Sequence, residues 1–116
     1  MTEVEANIRE SLLNTLSFLA SEAKQREFAA RVFYASYQSE FACWWFDTFY
    51  PEEPSALNMF SSPQLAILKS FSETFDRNLV ALGYGDHTLE DLLQKPEWRA
   101  VVSGAQAASA QFANAT

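Results

Sequence analysis

The sequence predicts an all-α protein with a single domain. Neither Gly nor Pro occurs before Pro51, so the first fifty residues lack the usual signals for loops. Apolar residues recur at spacings of three and four, and the alternation typical of a half-buried strand never extends beyond a few residues. The chain has 116 residues, of which 48% are hydrophobic, enough for one packed core. We therefore predict a bundle of four to five helices over residues 1–116, with a long central second helix.

The first helix has a recognisable start. Thr2 and Glu5 have the spacing of a capping box, in which each side chain satisfies a free N–H group at the end of the helix. Apolar residues then follow at helical spacing: Ile8, Leu12, Leu16 and Leu19. We expect this amphipathic helix to end between Ala20 and Glu22.

The second helix is predicted from about Glu22 to Phe49. At 100° per residue its apolar residues fall on two opposite faces, which is typical of a helix covered on both sides. One face carries Phe28, Val32, Ala35, Ala42, Phe46 and Phe49, and the other carries Phe33, Tyr37, Phe41 and Trp44.

Local signals also mark the helices of the second half. Pro51 and Pro54 end the second helix and open a loop through Phe60. The third helix begins with Ser61 as N-cap, Pro63 in the first turn and Gln64 at the capping-box position. Its predicted buried stripe is Leu68, Phe71, Phe75, Leu79 and Leu82.

The C-terminal third is predicted to hold two more helices. Gly83 is expected to end the third helix, because it adopts a left-handed conformation without a Cβ clash. Thr88 then caps a short helix, Leu89 to Gln94, and Pro96 begins the last one. The last helix leads into a tail, residues 103–116, that is rich in Ala, Ser and Gln and is expected to fray.

Charge restricts the classes of partner. The net charge is −7 and the pI is about 4.5, which disfavours binding to nucleic acid or to an anionic membrane and favours a basic protein partner. The single cysteine, Cys43, excludes an internal disulfide. The apolar stretch from Leu12 to Ala20 is interrupted by polar residues and resembles neither a signal peptide nor a membrane span. We expect a cytoplasmic protein.

No residue pattern points to catalysis or to metal binding. His87, the only histidine, follows Asp86 in a turn, and no nucleophile motif lies near it. Cys43 lies between Ala42 and Trp44 and is typical of a small packed residue. One histidine and one cysteine do not make a zinc site of normal type, and no Gly-rich phosphate loop is present. We expect no enzyme activity, metal or cofactor.

The most informative region is an acidic-aromatic segment, residues 40–54. No basic residue occurs between Arg31 and Lys69, whereas this segment contains several large rings beside carboxylates. Rings can serve as rigid anchors for a partner, and carboxylates can steer a basic one. The candidate partner-binding residues are Glu40, Trp44, Trp45, Asp47, Tyr50, Glu52 and Glu53.

Helical spacing relates two of these carboxylates. Glu40 and Asp47 point the same way and are about 10.5 Å apart along the axis, which is long for a glycosidase pair and suits two salt bridges to a partner. Charge on a helix usually just faces water, so this pair alone is weak support. The loop of residues 50–54 strengthens it, because two prolines lower the cost of ordering on binding. We expect Trp45 and Tyr50 to be exposed, and Phe46 and Phe49 to be core residues.

The chain resembles the small acidic immunity proteins of bacterial contact-dependent inhibition and related polymorphic-toxin systems. The resemblance rests on residues 45–51 (WFDTFYP), on Met59-Phe60-Ser61 leading into the third helix, and on Leu92-Leu93 followed by Pro96-Glu97-Trp98. It covers roughly positions 44 to 102 and includes no catalytic signature. It implies a cytoplasmic inhibitor that binds a basic toxin domain, often a nuclease, and blocks its active cleft with acidic residues.

Two alternatives of other classes remain. An acidic secretion or folding chaperone would bind extended segments through apolar grooves and would normally dimerise. A helical small-molecule-binding domain would instead have an apolar cavity between the second and third helices. Its predicted lining is Phe41, Trp44, Phe71 and Phe75.

Overall fold

A computed structural model describes all residues, 1–116, and contains seven helices and no strand. The helices are α1 (Glu3–Leu19), α2 (Glu22–Arg31), α3 (Tyr37–Phe46), α4 (Ala56–Met59), α5 (Ser62–Leu82), α6 (Leu89–Gln94) and α7 (Pro96–Asn114). The all-α prediction is confirmed, whereas the predicted number of four to five helices is wrong. None of the seven combines the length and the hydrophobicity needed to cross a bilayer.

The prediction of a long central second helix is also wrong, because residues 22–49 contain two helices, α2 and α3. Val32 and Ser36 both have extended backbone, with φ of −131° and −134°. Val, Phe and Tyr at 32–34 are poor helix formers, and the Tyr37 hydroxyl donates a hydrogen bond to the Val32 carbonyl at 3.1 Å. The break resets the helical phase, so the two-faced pattern predicted across it does not exist. In α3 and the turn after it the buried aromatic residues form one i, i+4 stripe instead: Tyr37, Phe41, Trp45 and Phe49.

The predicted caps are present. Thr2 and Glu5 form a capping box at α1, and Ser61 and Gln64 form another at α5. Gly83 ends α5 with φ of +73°, the one residue of the chain with positive φ. Each of these signals acts over a few neighbouring residues, which is why the sequence alone predicts it.

The C-terminal segment, which the sequence predicts to fray, is helical in the structure almost to its end. α7 continues to Asn114, and Ala105 and Ala108 are buried within it. At Gly104 the backbone lies so close to α5 that a Cβ atom would meet Thr74 Cγ2 at 3.3 Å. The small residues of this segment therefore allow α5 and α7 to pack closely along each other. Residues 51–60, predicted as a loop, also contain the one-turn helix α4.

The core is a network of aromatic rings between the helices. Trp98 of α7 is fully buried, and its ring centroid lies 6.1 Å from that of Phe41 and 5.9 Å from that of Phe75. The Trp98 indole N–H donates to Oε1 of Gln25, a fully buried residue of α2, at 3.0 Å. This core joins α2, α3, α5 and α7 and holds the acidic-aromatic segment against α5.

Candidate functional site

The structure divides the predicted partner-binding residues between the core and the surface. Trp45 is fully buried, so the prediction that it is exposed is wrong. Its indole N–H donates to Ser72 Oγ of α5 at 3.1 Å, and its ring centroid lies 5.1 Å from those of Phe49 and Phe71. Trp45 therefore anchors α3 to α5, and it takes no part in a surface site in this conformation.

Trp44 is half-buried in a second group of rings. Its centroid lies within 5.2 Å of those of Phe18, Phe28 and Phe41. Only part of this side chain reaches the surface, where it borders a polar depression along α1. Its main contribution is to packing.

Four of the predicted residues remain accessible and have no cation beside them. Tyr50 is 58% exposed, Asp47 and Glu53 are exposed, and Glu40 is half-buried. No Lys, Arg or His nitrogen lies within 4 Å of these three carboxylates. Glu40 and Asp47, the two carboxylates predicted to point the same way along this segment, therefore both reach the surface and have no paired cation.

Glu52 differs, because Lys69 of α5 lies beside it. Lys69 Nζ is 3.3 Å from Glu52 Oε1. The stretch between Arg31 and Lys69 has no basic residue of its own, but its packing against α5 places the Lys69 ammonium group beside Glu52. Both side chains are well exposed, so the pair adds little stability.

α5 also adds carboxylates that the sequence analysis missed. Glu73 and Asp76 face the acidic-aromatic segment across a cleft of about 310 Å³, which we call the acidic cleft. Its lining is Phe46, Phe49, Pro51, Glu52, Lys69, Ser72, Glu73 and Asp76. Helical spacing places Lys69, Glu73 and Asp76 on one face of α5 and could have grouped them. Which segment that face meets depends on how the helices pack.

The acidic cleft combines a negative lining with apolar walls. Its three carboxylates outnumber its single ammonium group, and Asp47 and Glu53 directly neighbour lining residues in the chain. Phe49 is buried and Phe46 is half-buried, so their rings form a fixed wall. Such a surface can accept a Lys or Arg side chain, whose alkyl part packs on rings while its charge meets carboxylates.

A larger cleft of about 510 Å³ lies at the other end of α3. It is lined by residues of α2, of the extended linker and of the loop before α6: Arg26, Ala29, Ala30, Phe33, Tyr34, Ala35, Tyr37, Asp86, His87, Thr88, Leu89 and Glu90. Phe33 is 85% exposed at this cleft. The Arg26 guanidinium donates a 2.7 Å hydrogen bond to Glu90, and this bond lowers the pKa of the Glu90 carboxyl.

The groups considered for catalysis do not form a recognisable catalytic arrangement. Asp86 and His87 both line the larger cleft, but the adjacent Thr88 hydroxyl is engaged as the N-cap of α6, accepting from the Asp91 N–H at 3.1 Å. Cys43 is exposed on α3. No three His, Cys, Asp or Glu side chains converge in a way that could hold a metal ion.

The cavity predicted for a small-molecule-binding domain is filled by packed rings. Phe41, Phe71 and Phe75 are buried, and the centroids of Phe71 and Phe75 are 5.7 Å apart. Phe75 also packs against Trp98. The open volumes lie elsewhere, in the clefts described above.

Comparison with known proteins adds no assignment. No family model, no curated protein and no solved structure matches this chain at significant similarity.

Proposed function

We propose that this chain is a non-catalytic binding protein: an immunity protein that neutralises a basic, nuclease-like toxin in the cytoplasm by forming a direct complex. The acidic cleft is the observation that carries the proposal. Its carboxylates come from two separate segments and exceed the cations beside them, while rings form its walls.

The surface would contribute to binding in two ways. Opposite net charges accelerate association with a basic protein. At the centre of the complex, a cationic side chain held between Glu73 and Asp76 would make charge-assisted hydrogen bonds and lose its water. Tyr50 and the carboxylates of Asp47 and Glu53 would form the rim. Trp45 has a supporting role, because it holds α3 against α5.

The test is capture of a partner by paired charge-reversal variants. Glu73→Lys/Asp76→Lys reverses the acidic cleft, and Glu3→Lys/Glu10→Lys makes the same change on exposed residues of α1. Both raise the formal net charge of −7 by four units. A third variant, Glu40→Lys/Asp47→Lys, tests the strip on α3, and circular dichroism checks the fold of each.

We expect the parent protein and the α1 control to retain one basic protein from the native lysate, and the cleft variant to lose it. Retention should weaken between about 20 and 200 mM salt, because added salt shortens the Debye length and so screens the attraction between the charges of the two proteins. The purified partner should be toxic when expressed alone and inhibited at equal stoichiometry by the parent. Equal retention by all folded variants, or a captured protein whose activity is not inhibited, would refute the proposal.

The larger cleft supports a second candidate, a small-molecule-binding domain. Its volume lies within the range usual for ligand sites, and its lining combines three aromatic residues with several polar and charged groups. A thermal-shift screen of small molecules against the parent protein and against Phe33→Ser tests this second candidate. A ligand that stabilises the parent and not this variant would favour the second candidate.

A further inference from the structure

Two glutamines of this chain are buried, and in one of them both the side-chain nitrogen and the side-chain oxygen have a hydrogen-bond partner. Gln25 is fully buried in α2. Its Nε2–H donates to the Leu19 carbonyl at 3.1 Å, and its Oε1 accepts from the Trp98 indole N–H at 3.0 Å. The amide is thus satisfied on both sides by a main-chain oxygen and an indole.

Gln38 also donates its side-chain N–H to a main-chain carbonyl, but its side-chain oxygen has no donor. It is 3% exposed in α3, and its Nε2–H donates to the Gly85 carbonyl at 2.7 Å. Because a carbonyl can only accept, this bond fixes the orientation of the amide and identifies the other atom as Oε1. That oxygen is buried and is the single buried side-chain polar atom of the protein without a hydrogen-bond partner. An acceptor left in this state is costly, which points to a partner absent from the isolated chain.

Gln38 lines a cleft of about 390 Å³ between α3 and the end of α5, which we call the Gln38 cleft. Its other lining residues are Ser39, Ala42, Leu79, Val80, Gly83 and Tyr84, none of them charged. Val80 is 75% exposed and the Tyr84 side chain is fully exposed. The cleft therefore presents apolar surface to solvent, and its lining includes the side chain of Gln38, whose Oε1 is unpaired.

We propose that the Gln38 cleft binds an aromatic ring that carries one N–H donor, of the indole type, with the N–H directed to Gln38 Oε1. The uncharged lining favours an apolar ring over an ion. The unpaired oxygen requires a donor and rejects a ligand that offers only acceptors. The Gln25–Trp98 pair shows the same chemistry inside this protein. Gln38 Oε1 is covered in the free chain, so binding includes a side-chain movement that opens this oxygen to the cleft.

The position of the cleft relates it to the acidic cleft without depending on the proposed function. Ala42 and Phe46 are one helical turn apart on α3, as are Asp76 and Val80 on α5, so the two clefts follow one another along the α3–α5 seam. The indole ring can come from a free metabolite or from a tryptophan of a protein partner. A tryptophan next to a Lys or Arg would match both clefts.

The test is a titration followed by ¹H–¹⁵N NMR with indole and with indene, which has the same shape and lacks the N–H. We expect indole to shift the signals of the Gln38 side-chain amide, Ser39, Ala42, Gly83 and Tyr84. Indene should bind about tenfold more weakly, since one hydrogen bond to a buried acceptor is of this magnitude. N-acetyltryptophanamide provides a second arm: binding at least as tight as that of indole indicates a protein side chain, and binding of indole alone indicates a free metabolite.

Two variants keep the test decisive. Ala42→Leu fills the Gln38 cleft without removing a polar group, and Ala29→Leu makes the same change at the larger cleft as a matched control. Indole binding should be lost in the first and kept in the second. Tyr84→Ala, at a fully exposed position, replaces Ala42→Leu if that variant unfolds, and should weaken binding severalfold.

Three results would overturn the proposal. Equal affinity for indole and indene would show that the Gln38 oxygen is not the acceptor, for example because a water molecule holds it. Absence of shifts at the Gln38 cleft up to millimolar indole would show that no site exists there. Binding that survives filling of the cleft in a folded Ala42→Leu protein would place the indole elsewhere.

Discussion

The buried Gln25–Trp98 pair makes a prediction about stability that can be calculated from the structure. In Gln25→Leu the side chain keeps about the same size but loses both hydrogen bonds. The Trp98 N–H and the Leu19 carbonyl then remain buried without partners, and each such group costs about 1–3 kcal/mol. Leu19 lies in the last turn of α1, where carbonyls have no partner within the helix. Burying Leu instead of an amide offsets part of this cost, so we expect a net loss of about 3 kcal/mol.

Urea unfolding followed by circular dichroism measures this loss. With a slope of about 1–3 kcal/mol per molar urea, the midpoint should fall by about 1–3 M. Gln111→Leu, the same change at an exposed position of α7, is the matched control and should stay within about 0.5 kcal/mol of the parent.

A double-mutant cycle with Trp98→Phe then isolates the bond itself. Removing either partner leaves the other unpaired, so the double variant should cost about 1–2 kcal/mol less than the sum of the two single variants. A Gln25→Leu protein as stable as the Gln111→Leu control would refute the reasoning. Strict additivity in the cycle would show that the two side chains do not interact.

Three further predictions concern charge, backbone and burial. The hydrogen bond from Arg26 holds the pKa of Glu90 below its ordinary value of 4.5, so the stabilisation from this ion pair is present above that pH and is lost as the pH falls through the lowered pKa. In thermal unfolding, Glu90→Gln should therefore be less stable than the parent at pH 6 and equally stable near pH 2. A difference that stays constant with pH would contradict the assignment. Gly83→Ala forces a Cβ into backbone with φ of +73° and ψ of −169°, a region essentially restricted to glycine, and should cost about 1–3 kcal/mol in urea unfolding, whereas an unchanged midpoint would mean that α5 ends differently. Trp45→Ala should cost about 3–5 kcal/mol and Tyr50→Ala less than about 0.5 kcal/mol, and similar costs for the two would contradict their assigned burial.

Signals confined to a few neighbouring residues predicted much of the helical framework. The Ser61–Gln64 capping box, the stop at Gly83 and the restart at Pro96 all occur where expected. Each depends on hydrogen bonds or dihedral angles within three or four residues. The break between α2 and α3, which lacks Gly and Pro, was missed, and so was the one-turn helix α4.

That break is supported by contacts between residues distant in sequence. Gln38, in the first turn of α3, donates to the carbonyl of Gly85, 47 residues away. The apolar pattern across residues 22–49 suits one helix or two, because periodicity describes neighbours along a helix and contains no information about such partners.

The sequence predicted the types of residue that form the candidate site, but only some of the individual residues that belong to it. The sequence alone determined that this chain is helical, that it is acidic, and that residues 40–54 combine rings with carboxylates. Only the tertiary structure decided that Trp45 is core, that Lys69 pairs with Glu52, and that Glu73 and Asp76 complete the acidic cleft. The physical reason is that exposure and charge compensation depend on which helix faces meet, and those faces belong to segments that lie more than fifteen residues apart in the chain.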